Sequence, residues 1–270
     1  MILKTVSIPL GYEESFSFET SRLPEGYTEV QYIACNTPTS GYAPYIVYNA
    51  LMRKTINGKD YGLNAEAVFS YPEIPSGATY KNTNIVYTFD EKYGAVYVSY
   101  QLQCSIYGPA YTTEKLRNMH RYTTGITSAS GSPPGNFAEV TKGTPANSYN
   151  TRTKVTTKFK PESMKYNVYE NDELIHDSGS SAVSLPLSHF STTARYPANI
   201  LGRSNVSAAS NTFFGKLFSL RFFFEDGSIV GDLIPCKQNS DGMVGLYDLI
   251  TEQFYPPAVN EAYVVAGPAV

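Results

Sequence analysis

Apolar and polar residues alternate along most of this sequence with a period of two, which is the repeat of a β-strand with one buried face. The segment KVTTKFK is the clearest case: Val155, Thr157 and Phe159 fall on one side and the lysines fall on the other. Segments of this kind are bounded by Pro, Gly or Asn, which favour turns. The same pattern predicts strands at residues 65–71, 84–90 and 95–104.

Two segments are predicted to be β-hairpins. YNVYENDELIHD, residues 166–177, has two alternating runs joined by a polar turn at Asn171–Asp172. KLFSLRFFFEDGSIVGDLIP, residues 216–235, has Asp226–Gly227 as its turn, because these residues tolerate the positive φ of a tight two-residue turn. In its first strand the alternation places Phe218, Leu220, Phe222 and Phe224 on one face and Ser219, Arg221 and Glu225 on the other. Many short strands separated by turns predict an all-β, antiparallel β-sandwich.

Two regions depart from this pattern. Residues 105–153 include TSASGSPPGN, which has the composition of turns and coil, and the region is interpreted as a long loop insertion. Within it, TTEKLRNMHRY, residues 112–122, is the one candidate helix. Residues 1–22 are interpreted as an N-terminal arm for anchoring or assembly, which leaves residues 23–270 for the sandwich.

Composition and charge exclude several classes of function. Hydrophobic residues make up 42% of the 270 residues, which is ordinary for a globular domain. The formal net charge of -3 gives no electrostatic reason to bind nucleic acid. No run reaches the roughly 18 apolar residues of a membrane helix, and MILKTVSIPLGYEESF at the start lacks the continuous apolar core of a leader peptide. We therefore expect no nucleic-acid partner, no membrane insertion and synthesis in the cytoplasm.

The residues that most often bind metals show no metal-site spacing. Cys35, Cys104 and Cys236 are far apart and lack the CxxC spacing of zinc sites, so that buried free thiols are predicted. The three histidines form no HxH or HExxH pattern. QNSDGMVGLYD, residues 238–248, lacks the regular oxygen ligands and closing Glu of a calcium loop, and a turn is the better interpretation. No cofactor and no metal are predicted.

Paired carboxylates would indicate a glycosidase, since retaining glucanases of this architecture use Glu-x-Asp-x-x-Glu on one strand face. The nearest match is YENDELIHD, where Glu170 and Asp172 have the first spacing but Ile175 stands at the third position. The same residues suit a solvated hairpin turn. The sequence also lacks GxSxG, a P-loop and a dinucleotide fingerprint. A non-enzymatic protein is therefore predicted.

Both ends of the chain carry a recognisable pattern, LPEGYTEVQYIACNTPTSGY at residues 23–42 and GDLIPCKQNSDGMVGLYDLITEQFY at residues 231–255, with VVAGPAV at the terminus. These segments resemble the opening and closing motifs of concanavalin A-like, LamG-like jelly-roll domains found in phage structural proteins and gut-bacterial surface proteins. The resemblance implies a jelly roll over residues 23–270. APYIVYNA, residues 43–50, replaces the TQYIDTG strand of that family, and no ligand site is carried over.

The closing motif also has a structural interpretation that comes from its own residues. Val244, Leu246 and Leu249 are apolar anchors, and Gly242 and Gly245 allow close approach of the backbone. The tyrosine rings can cover the edge of the core with their hydroxyls bonded at the rim. We predict a clasp that pins the C-terminus to the sandwich, formed by Pro235, Cys236, Gly245, Leu246, Tyr247, Asp248 and Tyr255.

The resemblance and the lack of catalytic motifs indicate a structural protein of a bacteriophage virion, of head or tail fibre or decoration type. In this interpretation residues 1–22 contact other virion proteins, and the jelly roll is displayed for attachment to the host surface. A homo-oligomer is expected, because symmetric copies multiply weak contacts. The protein would then reside in the virion after assembly in the host cytoplasm.

A glycan-binding module of a bacterial surface protein is the alternative, and it is compatible with display on a virion. Flat aromatic rings can stack on the faces of sugars, and four tyrosines of the 105–153 region are candidates for such stacking or for a subunit contact: Tyr107, Tyr111, Tyr122 and Tyr149. The chain has no Trp, the strongest platform of this kind. A host surface glycan is the ligand that this alternative implies.

Overall fold

β-Strands make up most of the part of the chain that the structure describes. A computed structural model describes residues 21–36, 42–72, 81–93, 96–107, 119–128, 137–143, 150–163, 165–177, 190–203 and 212–270. The strands are β1 Tyr27–Glu29, β2 Ile33–Cys35, β3 Tyr45–Leu51, β4 Arg53–Ile56, β5 Lys59–Gly62, β6 Asn64–Ser70, β7 Lys81–Tyr93, β8 Val96–Tyr107, β9 Met119–Ser128, β10 Phe137–Gly143, β11 Thr153–Lys160, β12 Lys165–Glu170, β13 Glu173–Asp177, β14 Arg195–Ile200, β15 Lys216–Phe223, β16 Ile229–Gln238, β17 Val244–Asp248, β18 Gln253–Tyr255, β19 Pro257–Val259 and β20 Val264–Ala266. A short 3-10 turn lies at Glu261–Tyr263. No helix within these ranges is long and apolar enough to cross a membrane.

Two antiparallel sheets account for most of the strands. The larger sheet has the order β13-β12-β11-β6-β15-β16-β17-β18, with β1, β2 and β20 attached to it. The smaller sheet has the order β10-β9-β8-β7-β14-β3-β19, and β4 and β5 form a separate hairpin. Side chains from both sheets meet in one core, so the protein is an all-β antiparallel sandwich of the jelly-roll type, and the predicted fold class is confirmed.

Aromatic side chains fill the space between the sheets. Tyr48 of the smaller sheet stacks on Phe222 of the larger one, with ring centroids 5.7 Å apart. Tyr87 meets the same Phe222 edge to face at 5.4 Å, and its hydroxyl lies 2.9 Å from the hydroxyl of Thr157. Tyr100, on β8, is buried in the same core, and this burial raises the pKa of its hydroxyl to about 12. These hydroxyls therefore stay neutral and serve the core as hydrogen-bonding groups.

The alternation predicted for residues 154–160 is confirmed in β11. Val155, Thr157 and Phe159 are buried, whereas Lys154 and Lys158 are partly exposed. The strand lies inside the larger sheet, between β6 and β12. It therefore has one face in the core and one face open to solvent, as its sequence requires.

The hairpin predicted for residues 166–177 is confirmed and consists of β12 and β13. Its turn residues Asn171 and Asp172 have φ values of 50° and 70°, which is the left-handed pair of a type I′ turn. Asn171 also accepts a hydrogen bond from the backbone N–H of Lys154 at 3.0 Å. The turn is thereby fastened to β11.

The hairpin of β15 and β16 differs from its prediction in two details. Its loop is longer than two residues, because Phe224 N–H bonds to Ser228 and Gly227 N–H bonds back to Phe224, with Gly227 at φ 84°. In addition, Phe218 does not share the core face with Leu220. A bulge between Leu217 and Ser219 shifts the register, so that Leu217 is buried and Phe218 lies on the outer side.

The region 105–153 was predicted to be a loop insertion, and this prediction is wrong for a large part of it. β9 and β10 extend the smaller sheet, with β9 paired to β8 and β10 paired to β9. The predicted helix at 112–122 is also wrong at Met119–Tyr122, which begins β9. Helix propensity is a weak preference, and pairing along β8 overrides it here. Residues 112–118 lie outside the described ranges.

The C-terminal motif forms paired strands around a buried carboxylate. In the β16–β17 pair, Pro235 is opposite Leu246 and Cys236 is opposite Gly245. Asp248 is fully buried. Its Oδ1 accepts hydrogen bonds from the backbone N–H groups of Asp232 at 2.8 Å and Ile250 at 3.1 Å.

The other oxygen of Asp248 links the two sheets. Oδ2 accepts from the hydroxyl of Thr251 at 2.7 Å. The hydroxyl of Tyr48, on β3 of the smaller sheet, lies 3.1 Å from Oδ2 and 2.9 Å from the carbonyl oxygen of Val230, so these two acceptors share its one proton. Burial, together with the charge of Asp248, raises the pKa of Tyr48. Tyr255 packs edge to face on Tyr48 at 5.1 Å. A Cβ atom at Gly231 would overlap the Tyr48 hydroxyl, so this glycine is required for the contact.

The N-terminal segment covers the outer side of the same strand pair. Leu23 is buried in a second apolar cluster with Ile234, Cys236 and Tyr247. Tyr27 lies 5.1 Å from the ring of Tyr247 and 5.5 Å from that of Phe254. Residues 1–20 of the predicted arm lie outside the described ranges.

Removing the buried carboxylate should destabilise the protein strongly. Asp248→Ala should lower the free energy of unfolding by about 4 kcal/mol, because two partly buried backbone N–H groups and the Thr251 hydroxyl lose their acceptor and a cavity remains at a fully buried position. Asp248→Asn should cost about half as much, since Oδ1 still accepts and the two hydroxyls can accept from the new amide. Urea unfolding measures both changes.

The matched control for this test is Asp241→Ala. Asp241 is exposed and accepts one hydrogen bond, from Met243 N–H at 2.9 Å. Its removal should cost about 1 kcal/mol. A loss for Asp248→Ala no greater than this control would contradict the role given to the buried carboxylate.

The prediction that the three cysteines are buried free thiols is confirmed for Cys35, Cys104 and Cys236. Burial raises the pKa of each thiol to about 12. Only about 1 thiol in 10,000 would therefore be ionised at pH 8. We expect no reaction with a thiol-specific disulfide reagent in the folded protein at pH 8, and reaction of all three thiols in concentrated urea. Rapid labelling of one thiol without denaturant would show that its site opens to solvent.

Candidate functional site

The two carboxylates nearest to a glycosidase spacing are held on opposite faces of the larger sheet. Glu170 faces the core side, where its Oε2 accepts a hydrogen bond from the hydroxyl of Tyr122 at 3.0 Å. Asp172 lies on the outer side and forms an ion pair with Lys154 at 2.6 Å. Acid and nucleophile of a retaining glycosidase must converge on one bond. Glu170 and Asp172 therefore cannot act as such a pair.

The four tyrosines proposed for sugar stacking are not brought together by the described residues. Tyr122 is fully buried and packs edge to face on Phe69 at 6.3 Å, so it cannot be a solvent-accessible platform and that prediction is wrong for Tyr122. It points inward because β9 places alternate residues in the core. Tyr107 ends β8, with its side chain beyond what is described, and Tyr111 and Tyr149 lie outside the described ranges.

The outer face of the larger sheet carries a row of polar side chains in register across five strands. Arg221 on β15 lies opposite Asp232 on one side and Glu66 on the other. Thr156 on β11 continues the row from Glu66 to Tyr169 on β12. Core residues alternate with these positions, since Ala65 and Ala67 flank Glu66 and are buried. The row is thus fixed by strand register and stands on rigid elements.

A groove of about 440 Å³ lies beside this row, here called the outer groove, and is lined by Glu66, Thr156, Lys158, Tyr169, Asp172 and Phe223. Tyr169 and Phe223 are both partly exposed. Lys158 extends over the ring of Tyr169, with its Nζ 4.7 Å from the ring centroid. The groove therefore combines aromatic surface, one ammonium donor and carboxylate acceptors.

Ion pairs set the charge around the outer groove. Arg221 binds Asp232 at 2.9 Å, and Lys154 binds Asp172 at 2.6 Å. The hydrogen bond from Lys154 to Asp172 raises the pKa of Lys154, so this ammonium group is charged at neutral pH. Glu66 contacts Thr156 Oγ1 at 3.4 Å and forms no ion pair within the described residues. It is therefore free to accept hydrogen bonds from a ligand.

A second groove of similar volume, about 440 Å³, lies at the tips of the hairpins, between residues 57–60 and Pro161 and Glu162. Its charged groups are already paired, since Lys59 lies 3.4 Å from Glu162 and Asp60 binds Arg53 at 2.8 Å. No aromatic side chain lines it. Among these two grooves, the outer groove is therefore the better candidate for a binding site.

Sequence reasoning missed the outer groove because it searched the long loops for exposed aromatic residues. The signal was nevertheless present in the alternation. Tyr169 falls on the polar side of YNVYE, and Phe223 follows directly after the core residue Phe222. A patch of aromatic residues at solvent-facing positions of neighbouring strands indicates a surface for binding or assembly.

No three His, Cys, Asp or Glu side chains converge among the residues that the structure describes. Comparison with known protein families and with curated proteins gives no match.

Two solved structures show a weak similarity to this fold. One is a native heptameric SAP-like pentraxin from Limulus polyphemus, with a TM-score of 0.44 and 9% identity over 73% of this chain and 76% of that chain. The other is a proposed carbohydrate-binding protein from Bacteroides ovatus, with a TM-score of 0.44 and 13% identity over 90% of this chain and 62% of that chain. This chain thus spans less than two thirds of the Bacteroides protein.

Proposed function

We propose that this protein is a non-catalytic glycan-binding module and that the outer groove is its binding site. The observation that carries the proposal is the position of Tyr169 and Phe223, two partly exposed aromatic rings on the same groove as Glu66, Thr156 and Lys158. Aromatic faces suit the C–H faces of a sugar ring, and the polar groups suit its hydroxyls.

The shape and rigidity of the groove support this proposal. Its volume of about 440 Å³ lies within the range of roughly 300 to 1,000 Å³ found for small-ligand sites. Most of its side chains stand on paired strands of the sheet, so that little conformational entropy is lost on binding. An open groove on a sheet also admits a polymer that continues beyond the site on both sides.

The carboxylates of the groove favour binding over hydrolysis. Asp172 is ion-paired with Lys154, and its side chain is 76% exposed. A general acid in a glycosidase usually sits in an apolar pocket that holds its proton at neutral pH. Asp172 has no such surroundings, which supports a role for these acids as hydrogen-bond acceptors.

Substitution of the aromatic platform tests the proposal. A glycan array should first identify a ligand for the wild-type protein. Tyr169→Ala should then weaken binding of that ligand at least about tenfold, which corresponds to about 1.4 kcal/mol, because the sugar loses its stacking surface. Phe223→Ala should weaken it in the same direction. Isothermal titration calorimetry measures both.

Ile250→Ala is the matched control, since Ile250 is 48% exposed, lies in the turn after β17 and does not line the outer groove. It should leave affinity unchanged, as should Tyr122→Phe in the core. Unchanged affinity in both Tyr169→Ala and Phe223→Ala, with the fold intact, would remove the outer groove as the site. The absence of binding by the wild-type protein to any glycan of a broad array would contradict the proposal of glycan binding itself.

Attachment to a bacteriophage virion remains a second proposal, supported by the resemblance of LPEGYTEVQYIACNTPTSGY and of the C-terminal motif to phage jelly-roll domains. A display role would use the N-terminal arm as the anchor, with several copies on one particle. Such an arm would join the sandwich at residues that are held in place, because Arg22 is ion-paired with Glu29 and Leu23 is buried.

Truncation of the arm tests this second proposal. Deletion of residues 2–20 should leave a folded domain with unchanged thermal stability but abolish incorporation into particles, because Arg22 and Leu23 keep their contacts. Immunoblots of purified particles measure incorporation, with the full-length chain as the control. Normal incorporation of the truncated chain would contradict an anchoring arm.

A further inference from the structure

A second aromatic surface lies on the outer face of the larger sheet, away from the outer groove. It consists of Tyr32, Arg152, Lys216 and Phe218, and is here called the cationic cluster. The rings of Tyr32 and Phe218 meet edge to face with centroids 5.7 Å apart. Arg152 lies over Phe218 at 4.2 Å, and Lys216 lies over Tyr32 at 4.5 Å.

Local backbone features position the two aromatic rings of the cluster. Phe218 is the extra residue of the β15 bulge between Leu217 and Ser219, which turns its ring away from the core. Tyr32 packs directly on the backbone of Gly267, where a Cβ atom would lie 2.7 Å from its ring. The bulge and the glycine therefore position the two rings of the cluster.

The two cations of the cluster have aromatic partners but no acidic ones. Neither Arg152 nor Lys216 forms an ion pair or a hydrogen bond with a carboxylate among the described residues, whereas Lys154 and Arg221 on the same face are paired with acids. Lys158 of the outer groove also has an aromatic partner and no ion pair there. Within the outer groove and the cationic cluster, these three cations therefore have no ion pair among the described residues, and Glu66 is the one carboxylate there without one, since Asp172 is paired with Lys154.

This local excess of positive charge contrasts with the whole chain, whose formal net charge is -3. A polyanion would be repelled by the molecule as a whole and attracted only by a site of the opposite sign. Guanidinium and ammonium groups above aromatic rings keep their N–H donors free at the edges. Those donors suit the anionic group of a sugar whose ring stacks on Tyr32 or Phe218.

We infer that the cationic cluster is a second subsite and that the ligand is an acidic polysaccharide. The inference rests on the proposed function, because it extends the glycan from the outer groove along β15. Lys216 and Phe223 begin and end this strand, and its residues span about 23 Å at roughly 3.3 Å per residue. One polysaccharide chain can thus contact both surfaces, with one of its anionic groups bound by Arg152 and Lys216.

The test uses three polymer probes on the full-length protein: polygalacturonate, its neutral methyl ester, and chondroitin sulfate. Wild-type protein should bind polygalacturonate at least tenfold more tightly than the ester at low salt. This preference should shrink as salt is raised from 50 to 500 mM. Biolayer interferometry on immobilised polymer measures the affinities.

The variant Arg152→Gln/Lys216→Gln should lose at least tenfold in affinity for polygalacturonate and keep its weaker affinity for the ester. Tyr169→Ala should weaken both. The matched control is Lys59→Gln/Lys160→Gln, which removes the same charge at the hairpin end and should leave binding unchanged. Melting temperatures confirm that each variant is folded.

The outcomes separate the inference from the proposed function. An unchanged affinity of Arg152→Gln/Lys216→Gln for all polymers, with a loss in Tyr169→Ala, overturns the inference and supports the outer groove. A loss of affinity in Arg152→Gln/Lys216→Gln with unchanged affinity in Tyr169→Ala supports the cationic cluster and contradicts the outer groove as a binding site. An equal loss in the control variant, or no binding of either acidic polymer, overturns the inference. Cluster-dependent binding of chondroitin sulfate alone supports the inference, with sulfate as the anionic group.

Discussion

The buried carboxylate of Asp248 holds the two sheets together at the end of the sandwich where the chain closes. It accepts hydrogen bonds from the backbone of β16, from the turn after β17 and from the hydroxyl of Thr251. It also shares the proton of the Tyr48 hydroxyl, from the smaller sheet, with the carbonyl oxygen of Val230. An anion removed from water is tolerated only when its lone pairs are satisfied, and here both oxygens are. Because Tyr48 also stacks on Phe222, the same carboxylate fixes a ring in the centre of the core.

Closure of the core in this way determines which surfaces remain for binding. The inner faces of both sheets are occupied by aromatic and aliphatic side chains. On the outer face of the larger sheet, the N-terminal segment covers the β16–β17 half, where Leu23 and Tyr27 pack on Tyr247. The half formed by β12, β11, β6 and β15 has no such cover within the described residues. The outer groove lies on this half, and the cationic cluster lies at its β15 edge, where Tyr32 packs on Phe218.

The sequence predicts the fold well where the local signal and the long-range pairing agree. Alternation in β11 and the positive-φ turn at Asn171–Asp172 are both readable without a structure. The predictions are wrong where pairing between strands that are distant in sequence determines which side chains are buried. The bulge that turns Phe218 outward depends on the register with β6, and Tyr122 is buried because β9 pairs with β8. The outer groove follows from the register of four strands, which no single segment specifies.

A two-dimensional ¹⁵N correlation spectrum, titrated with the tightest glycan from the array, tests most directly whether this uncovered half of the sheet is the binding surface. The account predicts that the largest shifts fall on Glu66, Thr156, Lys158, Tyr169 and Phe223. Shifts concentrated in residues 108–149 or on the smaller sheet, with these five signals unchanged, would contradict it.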